Sequence, residues 1–150
     1  MNRYKLCGGD ESLIDLHNDN CFNVLEHLVS KNVEIDAVVT DPPYNINYAC
    51  WDSDFDLFRA LTLCKSLLKD SGNLILFQGH SNVCITKTWL DNNFNFQNWV
   101  IYDRIKGRGG TKNLISTRED ILWYSNGENC TFNKMYSNTL KATRGKGSGG

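Results

Sequence analysis

Four consecutive residues, Asp41, Pro42, Pro43 and Tyr44, place a carboxylate, two prolines and an aromatic ring side by side. Each proline ring fixes φ and offers no backbone N–H, so the chain must leave regular structure abruptly here. This stiffness makes the Asp41 carboxylate and the Pro42 carbonyl a fixed pair of acceptors, with Tyr44 as a flat face beside them. Such a receptor suits a planar conjugated amine, for example the exocyclic NH₂ of a nucleobase. The simpler interpretation is a turn that ends a strand.

A conjugated amine is a poor nucleophile, because its lone pair is delocalised into the ring. Accepting both of its hydrogens returns electron density to nitrogen, and the reaction then needs an electrophile fixed in line with the lone pair. Neither a covalent nucleophile nor a metal is required. A zinc site is not expected, since the histidines are scattered and no two cysteines form a CxxC pair. The cysteines are interpreted as reduced core residues.

Length and charge limit the classes of protein to which this chain can belong. A chain of 150 residues is expected to form one domain with a real core. It has neither an apolar run of about 20 residues nor a secretory signal, so we expect no membrane association and a cytoplasmic location. Residues 1–60 carry four basic and eleven acidic side chains, whereas residues 101–150 carry nine and four. The last third is therefore a candidate polyanion-facing region or an ordinary solvated basic surface.

Apolar patterning predicts alternating strands and helices. Strands are expected at 13–17, 34–40, 72–79, 96–105 and 119–125, and helices at 21–31, 54–70 and 83–93. Asp19 or Asn20 can cap the first helix, and Gly72 is expected to end the second. The β-branched run at 34–40 is typical of a strand buried on both faces. This order predicts an open, mostly parallel α/β sheet, with Asp41 at the carboxyl end of a central strand, where ligands bind.

Four segments in this order resemble amino-group DNA methyltransferases, which transfer a methyl group from S-adenosylmethionine to adenine N6 or cytosine N4. The segment VEIDAVVTDPPYNINY resembles their catalytic motif, and LIDLHNDNCFNVLEHL resembles the strand, acid and helix before it. LLKDSGNLILFQG resembles the following helix and strand. NWVIYDRIKGRGGTKNLISTREDILWYSN resembles the late core segment. The resemblance covers roughly residues 13–126 and implies a Rossmann-like S-adenosylmethionine-dependent methyltransferase sheet.

The order of the motifs resembles the β-type permutation of that family, with the catalytic motif near the N-terminus. In that arrangement a target-recognition region follows, and a Phe-x-Gly-x-Gly cofactor loop comes last. Residues 1–126 are then a partial methyltransferase catalytic core. Residues 127–150 are the start of the target-recognition region or a flexible tail. Aspartate at the first motif position points to adenine, because cytosine-N4 enzymes more often carry serine there.

This sequence departs from the family pattern at two places. It contains no Phe-x-Gly-x-Gly loop, so the sheet and the cofactor pocket are expected to be incomplete. We expect a fragment, a truncated product or one part of a split enzyme, with a second polypeptide or a missing C-terminal segment supplying the loop. Family members also carry Gly-Asp before the early helix, where this chain has Asp19 and Asn20.

The resemblance implies a role for each matched residue. The Asp41 carboxylate and the Pro42 carbonyl would hold the amine, Pro43 would stiffen the turn, and Tyr44 would stack on a base flipped out of double-stranded DNA. Cofactor contacts are implied for Asp19, Asn20 and Asp41. Phosphate contacts are implied for Lys106, Arg108, Lys112 and Arg118. Trp51 and Asp52 are close enough to the motif to shape the pocket.

Three other functions stay open on the sequence. The acceptor could be cytosine N4, or adenine in RNA, with methyl transfer retained. Because the cofactor loop is missing, the chain could also be a catalytically silent subunit that binds nucleic acid or a partner.

Overall fold

The computed structural model describes residues 2–5, 13–47, 52–108, 112 and 114–134. The strands are β1 (Asn2–Lys5), β2 (Leu13–Leu16), β3 (Ile35–Thr40), β4 (Leu68–Gln78), β5 (Asn95–Arg108) and β6 (Ser116–Ser125). The helices are α1 (Cys21–Ser30), α2 (Leu57–Leu67) and α3 (Val83–Asp91). All the predicted elements are present, and β1 is an additional strand.

The main sheet has the strand order β3-β4-β6-β5. β3 and β4 are parallel and are joined through α2, whereas β6 pairs antiparallel with both β4 and β5. The α/β architecture is therefore confirmed, but the described sheet is mixed rather than mostly parallel. The reason is the short connection between β5 and β6, which permits only an antiparallel pair. β2 lies outside this sheet and pairs antiparallel with β1.

The core lies around β4 and β6. Its fully or nearly buried side chains come from α2, β4, α3, β6 and the residue before β5; they are Leu61, Leu68, Leu74, Leu76, Val83, Leu90, Phe94, Leu122 and Tyr124. β3 contributes no buried residue, and α1 contributes none either. The expectation that residues 34–40 are buried on both faces is therefore wrong within the described structure. The physical reason is that no described helix covers the face of β3 that carries Val39, which is 69% exposed.

The second helix is shorter than predicted, because β4 begins directly where α2 ends. Burial alternates along β4 and includes Leu68, so this leucine belongs to the strand pattern. Gly72 lies inside β4 and does not end the helix. A Cβ at Gly72 would lie 2.9 Å from a Leu68 methyl and 2.9 Å from the Lys69 carbonyl oxygen, a close approach that requires glycine.

The cysteines correct another expectation. Among the described cysteines all are free thiols, but Cys64 alone is buried, and burial raises its pKa to about 11. Cys21 and Cys84 are exposed. Apolar neighbours in the sequence were insufficient evidence for core positions, since both residues lie on helix surfaces. Across the described residues, no helix has the length and apolar character needed to span a bilayer.

Candidate amine-binding site

The Asp-Pro-Pro-Tyr segment begins at the carboxyl end of β3. Thr40, the last residue of β3, pairs with Leu76 near the carboxyl end of the parallel strand β4. Asp41 is exposed and Pro42 is buried. The prolines therefore end the strand at the edge of the sheet where the acceptor pair was predicted.

Tyr44 folds back toward Asp41. Its hydroxyl donates a hydrogen bond to Asp41 Oδ1 over 2.5 Å. Its ring lies against Gly79, where a Cβ would come within 3.1 Å of Tyr44 Cδ2. Burial of the ring raises the pKa of the Tyr44 phenol well above its ordinary value, and the hydrogen bond to Asp41 raises it further. Tyr44 is therefore a neutral phenol at any physiological pH.

Two acceptors remain open beside this ring. Within the described structure, neither Asp41 Oδ2 nor the Pro42 carbonyl oxygen accepts a hydrogen bond from the protein. Asp41 thus uses one carboxylate oxygen to hold the Tyr44 hydroxyl, whereas the other accepts no hydrogen bond in the described structure. This division of the carboxylate was not predicted from the sequence.

A buried carboxylate, that of Asp52, fixes the backbone of residues 44–46. Asp52 is 3% exposed, and its Oδ1 accepts hydrogen bonds from the backbone N–H groups of Tyr44 (2.7 Å) and Asn45 (3.1 Å). Its Oδ2 accepts the N–H of Ile46 over 3.1 Å. The sequence suggested that Asp52 shapes the pocket, but no local pattern showed that it binds three consecutive amides. Trp51 lies outside the described residues.

Two further contacts fix the same loop. The side chain of Asn45 exchanges two hydrogen bonds with the backbone of Phe55, at 2.9 and 2.8 Å, and Asn45 adopts a left-handed φ of 55°. Asn82, which precedes α3, donates from its side-chain amide to the Tyr44 carbonyl over 2.8 Å. Sequence reasoning missed both asparagines, because each acts through the tertiary structure.

Cavities flank the site on both sides of Tyr44. One, of about 250 Å³, includes Pro43, Tyr44 and the buried Gln78 in its lining. A second, of about 200 Å³, is lined by Tyr44 together with Arg118 and the Arg104–Glu119 ion pair (2.5 Å). Tyr44 thus lines both cavities: the 250 Å³ cavity is largely apolar, and the 200 Å³ cavity contains charged side chains.

A third cavity, of about 380 Å³, lies on the α1 side and is mostly apolar. It brings the predicted cofactor residue Asp19 together with Pro42 and Val39. Asn20 is committed elsewhere, because its side-chain oxygen caps α1 by accepting the N–H of Phe22 over 2.9 Å. The structure therefore associates Asp19 with this cavity and gives Asn20 a helix-capping contact, as the sequence allowed.

The predicted phosphate contacts are only partly described. Lys112 is exposed, and Arg118 lies at the 200 Å³ cavity with its Nε 3.4 Å from the buried Asp120. The side chains of Lys106 and Arg108 fall outside the described part of the chain. Arg104, which sequence reasoning did not select, lines the same cavity as Tyr44 and Arg118.

Residues 35–146 match the sequence model of a DNA methylase family, the N6/N4 methyltransferases. The chain belongs to this family. It is 34% identical over 128 residues to the type II methyltransferase M1.MboII of Moraxella bovis, which covers 79% of this chain and 48% of that protein. It is 27% identical over 119 residues to M.HpaI of Haemophilus parainfluenzae, covering 70% of this chain and 37% of that protein. The chain thus spans between about a third and a half of these curated relatives.

Two solved structures share the fold. The chain superposes on the crystal structure of the M1.HpyAVI–SAM complex with a TM-score of 0.65 and 19% identity, over 83% of this chain and 60% of that chain. A second crystal structure of M1.HpyAVI gives 0.63 and 17%, over 81% of this chain and 60% of that chain. The predicted family and the Rossmann-like fold are therefore confirmed. The division at residue 126 stays a prediction.

Proposed function

We propose that this chain is the catalytic part of a site-specific DNA adenine-N6 methyltransferase that uses S-adenosylmethionine. The observation that carries the proposal is the open acceptor pair, Asp41 Oδ2 and the Pro42 carbonyl, beside a neutral Tyr44 ring at the carboxyl end of β3. Membership of the N6/N4 DNA methylase family supports the same chemistry. The aspartate at the first motif position favours adenine over cytosine.

The residues of the chain act by positioning and polarising the amine. Asp41 Oδ2 and the Pro42 carbonyl each accept one hydrogen of the exocyclic NH₂, which localises the lone pair on nitrogen. The Tyr44 ring stacks against the base, which must leave the duplex to reach this site. Pro43 keeps the two acceptors in a fixed relation because its φ is locked. Most of the catalytic effect is then orientation of the reactants.

S-adenosylmethionine supplies the electrophilic methyl group when it is bound. The lining on the α1 side fits such a ligand, since the Asp19 carboxylate would accept hydrogen bonds from its amino groups and the apolar remainder of the 380 Å³ cavity fits its uncharged parts. Asp41, which precedes the cavity-lining Pro42, would complement its cationic centre. Asn20 is expected to support this contact indirectly, by fixing the start of α1.

A further segment is needed to complete this pocket. In the described structure one edge of β3 has no partner strand, and the exposed Val39 leaves an apolar surface on the proposed cofactor side of the site. An unpaired strand edge can accept a further strand, and an exposed apolar surface favours a segment that covers it. We propose that a second polypeptide or a C-terminal segment with a Phe-x-Gly-x-Gly loop occupies this edge.

Double-stranded DNA is the proposed partner on the opposite side. Arg118 and Lys112 are exposed on and near the connection between β5 and β6, and Lys106 and Arg108 lie on the same stretch of chain. Contacts from such residues to phosphates are independent of sequence and weaken as salt rises. They would place the duplex over the cavity that Arg118 shares with Tyr44.

The deciding experiment measures methyl transfer after adding the completing segment. DNA is incubated with methyl-labelled S-adenosylmethionine, and the nucleosides are separated by mass spectrometry. We expect N6-methyladenine, lost by at least about 100-fold in Asp41→Ala, since removing one preorganised polar contact to a transition state commonly costs this much. Asp36→Ala, a change of the same type at the other end of β3, is the matched control.

The same experiment tests the alternatives. Recovery of N4-methylcytosine alone would exclude adenine as the target, and labelling of RNA in preference to DNA would exclude DNA. A silent subunit is the second candidate, favoured by the uncovered edge of β3. Calorimetric titration with S-adenosylmethionine is expected to show no binding to this chain alone and binding after completion. No methyl transfer by the completed protein would leave the silent subunit as the function.

A further inference from the structure

We propose that Asp52 is a positioning residue for methyl transfer, which acts by holding the backbone of residues 44–46. The inference rests on the proposed function and adds to it a group that does not touch the amine. Its carboxylate reaches the reaction through Tyr44 and Asp41.

Burial of the Asp52 carboxylate has a large cost in free energy. An ionised carboxylate removed from water is strongly destabilising unless its oxygens are hydrogen-bonded. Asp52 is almost completely buried, and three consecutive backbone N–H groups converge on it at 2.7 to 3.1 Å. Bonds from N–H groups to an ionised oxygen are about twice as strong as neutral ones. The loop is thus wrapped around one buried carboxyl group.

The contacts of Asp52 with the backbone also constrain the Tyr44 side chain. Tyr44 is held on its N–H side by Asp52 and on its carbonyl side by Asn82. With both peptide groups fixed, its ring can lie on Gly79 while its hydroxyl meets Asp41 Oδ1. This leaves Asp41 Oδ2 directed away from Tyr44 and open to a ligand. Asp52 therefore sets which carboxylate oxygen is available.

A second attachment of the loop separates positioning of Tyr44 from folding of the loop. The paired hydrogen bonds between Asn45 and Phe55 attach the same loop to the start of α2 without involving Asp52. Loss of the Asp52 contacts should therefore leave the loop attached but allow residue 44 to turn. A displacement of about 1 Å at a reacting group is enough to lower a rate by about 100-fold.

The test compares Asp52→Asn with Asp54→Asn, the same change at an exposed residue two positions away. In Asp52→Asn the side-chain NH₂ faces the N–H of Ile46, so two donors oppose each other. The first readout is the Tyr44 ring in protein labelled with ¹³C-tyrosine, assigned by Tyr44→Phe. We expect its titration midpoint to fall toward that of a free tyrosine in Asp52→Asn and to be unchanged in Asp54→Asn.

The second readout is methyl transfer by the completed protein. In Asp52→Asn we expect kcat to fall by about 10- to 100-fold while KM for S-adenosylmethionine changes by less than about twofold. A change in KM alone, or wild-type kcat together with the wild-type Tyr44 titration, would overturn the proposal. Because the tyrosine readout needs no activity, an inactive wild type would count against the proposed function and not against this inference.

A second variant keeps the test decisive if Asp52→Asn folds poorly. Asp52→Ala leaves a small space beside three unpaired N–H groups, and formate can supply the missing carboxylate. We expect formate, but not chloride at equal ionic strength, to restore the Tyr44 titration. Failure of formate, or fast hydrogen exchange of the amides of residues 44–46 in the wild type, would show that the contact does not hold the loop.

Discussion

β3 has two very different sides. Toward β4 it meets a core in which Leu74 and Leu76 are completely buried, and the loop after it is fixed by Asp52, Asn45 and Asn82. Toward α1 its edge carries no strand in the described structure, and α1 itself buries no residue. The side of β3 next to the Asp-Pro-Pro-Tyr loop is thus fixed by several contacts of this chain, whereas the α1 side leaves Val39 exposed in the described structure. The two sides therefore differ in how far the described residues complete them.

The largest expected effect compares the two sides directly. Leu76→Ala removes a fully buried side chain from β4 and should lower the free energy of unfolding by about 3 kcal/mol. Val39→Ala, on the neighbouring strand but exposed, should change it by less than about 0.5 kcal/mol. Urea denaturation followed by circular dichroism measures both.

Equal losses in these two variants would contradict the description of an open side. With the completing segment added, Val39→Ala should become clearly more destabilising than in the chain alone. No such increase would mean that the segment binds elsewhere.

Gly79→Ala tests how closely the amine-binding side is packed. The added methyl group would lie 3.1 Å from Tyr44 Cδ2, so the ring must shift by a few tenths of an ångström. We expect a loss of about 1 kcal/mol in stability and a fall in kcat of the completed protein. Thermal unfolding and single-turnover methyl transfer measure the two effects, and an unchanged kcat would show that the ring position tolerates this shift.

A pH titration gives a smaller effect. The folded-state pKa of Tyr44 is raised, so its contribution to stability is complete below the unfolded pKa of about 10 and is lost as pH rises through the folded value. Stability should therefore fall above about pH 10, and less steeply in Tyr44→Phe.

Tyr124 is the internal control for this titration. It donates to Asp91 over 2.6 Å, far from the loop, and burial also raises its pKa. Tyr124→Phe should flatten the same alkaline slope without changing methyl transfer. If Tyr44→Phe leaves the slope unchanged, the Tyr44 phenol is not protected.

The smallest effect is expected at the exposed side of β3. Lys69 and Asp36 form an ion pair at 2.7 Å, with side chains 41% and 81% exposed. Exposed pairs contribute little, so Asp36→Asn should change the free energy of unfolding by less than about 0.5 kcal/mol. A larger loss, measured by urea denaturation, would mean that this face is less open to solvent than the structure shows.

The sequence was most informative where the signal is local. Proline geometry placed the end of β3 at Asp41, and apolar periodicity located the helices and strands to within a few residues. Asn20 was recognisable as a cap because an Asn before an apolar helix accepts a backbone N–H. The boundary at Leu68 could not be predicted, since this residue fits a helical and a strand pattern equally well until its partner strands are known.

The features of the site that depend on long-range contacts could not be predicted from the sequence. Asp41 and Tyr44 were selected as neighbours, but their hydrogen bond depends on Gly79, which is 35 positions beyond Tyr44 in sequence. No pattern in the sequence identifies Asp52 as the acceptor of three backbone N–H groups, because any acidic residue within reach of the loop could bind them. The solvent exposure of β3 could not be predicted either. An apolar run indicates that burial of its side chains is favourable, but it does not show that another element is present to bury them.

The position of β6 has a consequence for how the protein is made. This strand comes last among the described strands, yet it lies between β4 and β5 and buries Leu122 and Tyr124 completely. During synthesis, β4 is complete at residue 78 but β6 begins only at residue 116, so the edge of β4 that β6 covers is unpaired in that interval. Chains interrupted there expose an unpaired strand edge, which favours aggregation.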